Sequence, residues 1–216
     1  MKELGIRELR VDELADAALL LGRGMRDNPN NIQAFGPDRA HRERALARMF
    51  LPVLQRTHAK GNVIGAFGEG SLVGVYGMTA PGECQLKSCE KLRMVPAIFF
   101  ENSLGITMRV SRWTSEWSRR DLRGPHWHLG PVAVDSHLQG QGVGGTMLAA
   151  FCACMDDWRT LSYLETDKSE NVSFYQKFGF TVVGEANVLA VPNWFMSRPA
   201  RTAGRHLCVS SDLRLA

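Results

Sequence analysis

The sequence predicts one mixed α/β domain, and three observations carry that prediction. Strand patterns come early in the chain, a strand–helix–strand unit fills the second half, and no linker, internal repeat or low-complexity stretch divides them. At 216 residues the chain is long enough to bury a core without disulfide or metal support. With 44% hydrophobic and 22% charged residues, it is not a disordered chain. A formal charge of +4 falls short of a dedicated nucleic-acid binder and suits a polyanionic small ligand equally well. The longest apolar run, Val95 to Phe100, is far too short to cross a bilayer, and the first residues carry no signal-peptide core. No nucleic-acid or membrane partner is therefore expected, and the expected location is cytoplasmic. Five scattered cysteines (Cys84, Cys89, Cys152, Cys154, Cys208) form no CxxC pair, which predicts reduced thiols rather than a zinc site or disulfide framework.

Each element follows from local pattern. Ile6 to Arg10 reads as a first strand, and Asp12 suits the N-cap of a helix to about Met25, with Leu14, Ala18, Leu21 and Met25 at helical spacing. Asn28-Pro29-Asn30-Asn31 reads as a loop on turn chemistry. A helix from near Asp38 places Leu46, Met49, Phe50 and Val53 on one face, and Arg39, Arg42, Arg44 and Arg48 on a solvated one. Strands at Asn62 to Phe67 and Leu72 to Met78 flank the turn Glu69-Gly70-Ser71. Pro81 to Pro96 reads as an irregular insertion, and Ala97 to Leu122 as one long or two short helices whose Trp113 and Trp117 are expected in the core. His126 to Val134 is a strand. After a glycine-rich turn, Val143, Met147, Leu148, Phe151, Cys152, Met155 and Trp158 step by three and four, the clearest amphipathic helix in the chain. Leu161 to Thr166 is a strand, Glu170 to Phe178 a helix, and Thr181 to Val188 and Trp194 to Arg198 are strands before an arginine-containing tail.

The turn between the strong strand and the strong helix carries the chemistry. It contains Gln139, Gly140, Gln141, Gly142, Val143, Gly144 and Gly145. Glycines let a ligand approach the main chain, and the first helical turn offers free N–H groups with the positive end of the dipole behind them. Phosphate is the natural occupant. A Walker A pattern is absent. Gly140, Gly142 and Gly145 satisfy GxGxxG, with Glu165 ending the next strand, but Asp135 to Gln139 separate strand from glycines. Too few residues follow Glu165 to complete a doubly wound sheet.

The run Gln139-Gly140-Gln141-Gly142-Val143-Gly144 resembles the Q/R-x-x-G-x-G/A signature of the GNAT acetyltransferase superfamily. Tyr175 followed by Gln176-Lys177-Phe178-Gly179-Phe180 is similar to the family's second signature. Leu164-Glu165-Thr166, Asn171, Phe174-Tyr175, Gly179-Phe180-Thr181-Val182 and Trp194-Phe195-Met196 look most like the puromycin-type N-acetyltransferase branch, with Lys168 standing where many members have asparagine. The resemblance implies a single GNAT-like domain over 1–216, with a central, mostly antiparallel, splayed sheet flanked by helices. Within it, 1–125 would be the acceptor-binding half, 126–198 the acetyl-CoA core and 199–216 the tail. It implies that Val132, Ala133 and Val134 offer main-chain hydrogen bonds to pantetheine, that Gln139 to Gly145 hold the pyrophosphate, and that Asn171 also lies at the cofactor.

The implied reaction is direct attack of a primary amine on the thioester of acetyl-CoA. Backbone N–H groups near Val132 suit the oxyanion. Tyr175 suits protonation of the departing sulfur, since a phenol of unperturbed pKa ~10 stays protonated at neutral pH; its plain structural reading is packing on Val172. His126 and His128 share one strand face, and His128 and Glu165 are both candidate bases, Glu165 also for positioning substrate. His126-Trp127-His128 also reads as a metal pair, but with no third ligand in view no metal is expected. Cys152 and Cys154 read as buried, inert thiols.

The expected partner is a small-molecule amine, held in an enclosed cavity beside Tyr175, and a homodimer through an edge strand is a further expectation. The rival readings are a protein N-terminal or lysine acetyltransferase, a non-catalytic coenzyme A sensor, and an NAD(P)-binding oxidoreductase.

Overall fold

The structure, a computed structural model, describes residues 4–85, 90 and 102–201. Seven strands form one sheet: β1 (Gly5–Glu8), β2 (Gly61–Gly68), β3 (Ser71–Thr79), β4 (Trp127–Val134), β5 (Ser162–Thr166), β6 (Thr181–Val188) and β7 (Val191–Arg198). Their order across the sheet is β1-β2-β3-β4-β5-β7-β6. Every neighbouring pair is antiparallel except β4 and β5. That pattern excludes the doubly wound parallel sheet that a dinucleotide reading of the glycines requires.

Six α-helices flank the sheet among the described residues: α1 (Leu14–Met25), α2 (Pro29–Phe35), α3 (Arg39–Ala59), α4 (Leu104–Ser118), α5 (Val143–Asp157) and α6 (Ser169–Gln176). Two cores result. On one face Leu14, Leu21, Leu46, Leu54 and Val110 pack over Val63, Val75 and Ala133; on the other, Met147, Phe151, Met155 and Tyr175 pack over Tyr76, Trp127, Leu129 and Leu164. Strand alternation sorts β4 and β5 accordingly: Trp127, Leu129 and Leu164 face α5, so His128, Tyr163 and Glu165 face the opposite way. Trp113 is buried as expected and stacks edge-on against Trp117, with ring centres 5.2 Å apart.

The amphipathic patterns place most elements within a few residues. One segment read as a loop is helical: Asn28 precedes α2, and Pro29 sits in its first turn, where the missing N–H costs nothing. The cap comes from far away in the chain, because the carboxylate of Asp167 accepts from the N–H of Asn30 at 2.7 Å. Arg42 also departs from the expected solvated face. It is buried, donating to the carbonyls of Arg26 and Gly36 and to Asp27, and thereby ties α3 to the two turns flanking α2. Cys154 is disulfide-bonded rather than reduced. Much of the insertion, Cys89 and nearly all of the tail lie outside the described residues.

Candidate active site

β4 and β5 pair only at Trp127↔Ser162 and His128↔Tyr163, and then part. Beyond that point β4 keeps its other neighbour, β3, through Val134. The sheet is therefore splayed, with the gap lined by the second half of β4 on one side and by Leu164 to Thr166 on the other. A bulge between Tyr76 and Met78, opposite the Gly130-Pro131 stretch, changes which residues face each layer.

The register also sorts the three expected cofactor-strand residues. Asp135 N donates to Val73 O in the same register that sets Ala133 opposite Val75. Antiparallel alternation then directs the N–H and C=O of Ala133 to β3, and those of Val132 and Val134 to the gap. The carbonyl of Val134 is already occupied by Gln139 Nε2 at 3.1 Å, and the same amide also donates to Gly24 O at 3.2 Å. Gln139 is thus a brace between α1, β4 and the turn. Gly24 belongs to that brace, because a Cβ there would lie 2.7 Å from Val134 O.

The turn itself has the features an anion needs. Gly140 and Gly142 hold φ of 79° and 90°, and Gly142 is the N-cap of α5 without a side-chain cap. Among the described residues the amides of Gly140, Gly142, Val143, Gly144 and Gly145 meet no acceptor, so this helix end presents uncapped donors. Gln141 Nε2 closes the turn on His137 O, and Arg23 holds Asp135, at the foot of the turn, with a 2.8 Å ion pair.

Two ionisable groups flank the gap from opposite layers. Tyr175, in α6, packs on Phe174 and Phe180 and is buried in the α5 layer. Its hydroxyl makes no hydrogen bond among the described residues. Burial, with the nearby Asp167 adding to it, pushes the phenol up to about 12. Asp167 is itself raised by burial, against the hydrogen bond from Asn30. From the other layer Glu165, two residues past the last β4–β5 pair, receives His128 Nε2 at 2.8 Å. Burial opposes charge on His128, but the Glu165 carboxylate outweighs it and holds the imidazole pKa well above its ordinary value. Asn171 donates to Thr166 Oγ1 at 3.2 Å, which ties α6 to the end of β5.

His126 and His128 do share a face, their rings 6.5 Å apart and both edge-on to Tyr163. Sequence reasoning missed what joins them there. Cys84, from the loop after β3, brings its sulfur to both imidazoles, and Asp121 lies 2.9 Å from His126 Nε2. No spacing signal links residues 84, 121, 126 and 128, because sheet pairing of β3 with β4 makes the contact. A shallow, open depression lies on the outer face of α4, lined by Met108, Arg112 and Glu116.

A splayed sheet, an uncapped glycine-rich helix start at one side of the gap and ionisable side chains on both layers are compatible with the acetyltransferase class that the two sequence signatures resemble. The comparisons agree. Residues 107–182 match the family model described as acetyltransferase (GNAT) domain. Over those residues the chain is similar to a GNAT acetyltransferase domain, and its fold is that of solved acetyltransferases. Among solved structures, a histone acetyltransferase HPA2 and related acetyltransferase from Corynebacterium glutamicum is 21% identical with a TM-score of 0.69, over 92% of this chain and 97% of that one. A Drosophila melanogaster polyamine N-acetyltransferase is 15% identical with a TM-score of 0.58, over 91% and 100%. The PaiA N-acetyltransferase of Thermoplasma acidophilum, solved with coenzyme A, is 12% identical with a TM-score of 0.56, over 91% and 99%. At these identities the solved structures support the fold. No helix among the described residues is long and apolar enough to cross a membrane.

Proposed function

We propose that this protein transfers the acetyl group of acetyl-CoA to the primary amine of a small molecule. The observation that carries the reading is the β4–β5 gap, with uncapped amides of the Gly140 to Gly145 turn at its mouth and Tyr175 and Glu165 on its two layers. Pantetheine would lie along β4 as a further strand, bonded to the gap-facing groups of Val132 and Val134, with the pyrophosphate on the turn. A solved GNAT-fold protein with bound coenzyme A supports this cofactor.

Attack of a neutral amine on the thioester carbon gives a tetrahedral oxyanion, which the gap-facing Val132 N–H would stabilise. Collapse forms the amide and releases the thiolate of coenzyme A, to which Tyr175 gives its proton. Glu165 receives the proton lost by the amine, and His128, bonded to the Glu165 carboxylate, holds that carboxylate in place. Acid and base thus approach the reacting carbon from opposite layers, so the two proton transfers do not compete for one group.

Parallel thermal unfolding with acetyl-CoA, coenzyme A and NAD(P)H, followed by thiol-release assays on a panel of amines, tests the reading. A ligand at about 100 times its dissociation constant adds about 2.7 kcal/mol. Stabilisation by the coenzyme A ligands with amine-dependent thiol release is the expected result; stabilisation by a nicotinamide dinucleotide alone would overturn it. A solved protein of the same fold, the ribosomal-protein-S18-alanine N-acetyltransferase of Escherichia coli, supports one second reading, a protein N-terminus as acceptor, and peptide amines belong in the same panel. Polyamine and arylalkylamine relatives of the same fold support the small-molecule choice.

A further inference from the structure

We infer that Cys84, His126 and His128, completed by Asp121, form a binding site for a thiophilic divalent cation, zinc by preference. The site shares His128 with the Glu165 pair, and it does not rest on the acetyl-transfer reading. One ligand atom from each of Cys84, His126 and His128 lies within 4.8 Å of the other two. Tetrahedral zinc, with bonds of about 2.3 Å to sulfur and about 2.0–2.1 Å to nitrogen, needs ligand separations of roughly 3.3–3.8 Å. Closing the set of three means drawing these atoms together by at most about 1.5 Å per pair, with the Asp121 carboxylate, beside His126, as the outer fourth ligand.

The hydrogen bonds around the cluster are those that orient metal ligands. His126 Nδ1 is 2.8 Å from Gly124 O, which fixes its proton there and leaves Nε2 as the coordinating atom. His128 Nε2 is committed to Glu165, leaving its Nδ1 lone pair. A second observation points to a cation. His126 Nε2 and Asp121 Oδ1 are both buried, lie 2.9 Å apart, and yet make no well-formed hydrogen bond. When Nδ1 holds the only ring proton, these are two acceptors facing one another, an arrangement that either a second ring proton or a shared cation relieves.

Charge also balances. A thiolate and the Asp121 carboxylate neutralise a divalent ion, while the two imidazoles bind uncharged, so burial leaves no net charge in the cluster. The mixture of sulfur, nitrogen and one carboxylate oxygen selects zinc over magnesium or calcium, which demand oxygen shells. Bound there, the ion would clamp the loop after β3 and the turn before β4 onto the strand that carries His128, and so hold the Glu165 support in place.

Cobalt titration of chelator-treated protein provides the test, because a thiolate–cobalt charge-transfer band reports sulfur ligation without any activity. One equivalent of cobalt should raise that band, and zinc should displace it. Cys84→Ser should abolish the band and weaken zinc binding by roughly 100-fold or more, since even outer partners of a metal site are worth 10–100-fold. His126→Gln should weaken it comparably, whereas Cys152→Ser should leave the band unchanged. X-ray absorption on zinc-loaded wild type, which needs no variant to fold, should find one sulfur and two imidazoles. A missing band, a band that survives Cys84→Ser, or a shell with several sulfurs or none would overturn the site.

Discussion

Replacing Tyr175 with phenylalanine removes one oxygen and leaves the ring stack intact. The ring lies 5.4 Å from Phe174 and 5.8 Å from Phe180, centre to centre, and both contacts are open to phenylalanine. Because the hydroxyl has no hydrogen-bond partner among the described residues, stability should change by no more than about 0.5 kcal/mol. Turnover should fall much further. General acid catalysis is worth about 10²–10⁴-fold, and a thiolate leaves without help more readily than an alkoxide, so the low end applies: about 10²-fold, or 2.7 kcal/mol. Steady-state thiol release should show that loss in kcat, with KM for acetyl-CoA and the acetyl-CoA thermal shift unchanged. The pH dependence adds a second check. With the phenol pushed up to about 12, the donor stays protonated across the working range, so the ratio of wild-type to variant turnover should be flat between about pH 6 and pH 10. A kcat within about threefold of wild type, or a loss confined to KM, would remove Tyr175 from the proton path.

Glu165→Gln preserves volume and an acceptor for His128 and should lower kcat by roughly 10²-fold or more without weakening acetyl-CoA binding, measured by kinetics and calorimetry together. Gly142→Ala forces a Cβ onto a residue at φ 90° and should cost roughly 1–2 kcal/mol in denaturant unfolding while weakening coenzyme A binding; unchanged affinity would mean that the turn does not seat the pyrophosphate. Asp156→Asn breaks a bidentate pair with Arg198, whose side chain is only 3% exposed, and should cost about 3 kcal/mol at neutral pH. Burial opposes charge on Asp156, but Arg198 lowers its folded pKa; the wild-type advantage is therefore full above about pH 4 and should shrink as pH falls further, which unfolding curves down to acid pH would show.

Local chemistry made most of the architecture legible, and its failures have physical causes. Helix α5 and strand β6 follow from periodicity, since α5 buries one face and β6 alternates exposed with partly covered residues. Helix α2 did not, because its first N–H is capped by Asp167, 137 residues further along the chain, and turn-forming residues dominate its start. Arg42 was misplaced for a related reason: helical spacing shows which face a residue occupies, not which carbonyls will surround it. The same limit applies to Ala133. Its place in the strand is plain in the sequence, but the direction of its N–H depends on the register with β3.

The candidate site divides along the same line. Residues that act through their own backbone, such as Gly140 and Gly142, announce themselves, because φ near 80–90° restricts what the position accepts. Residues that act through side-chain partners do not. Nothing in the separation of His128 from Glu165 requires their 2.8 Å contact; it follows from the parallel pairing of His128 with Tyr163, which sets Glu165 one strand repeat beyond. That pairing stops at the same place where the sheet opens. The last hydrogen-bonded rung between β4 and β5 therefore does two things at once: it fixes the His128–Glu165 pair and marks the edge of the gap. In the proposed reaction, lengthening the ladder by one pair would close the strand position proposed for the cofactor, and shortening it would release the carboxylate, so the extent of this single ladder would couple cofactor access to the placement of the proposed base.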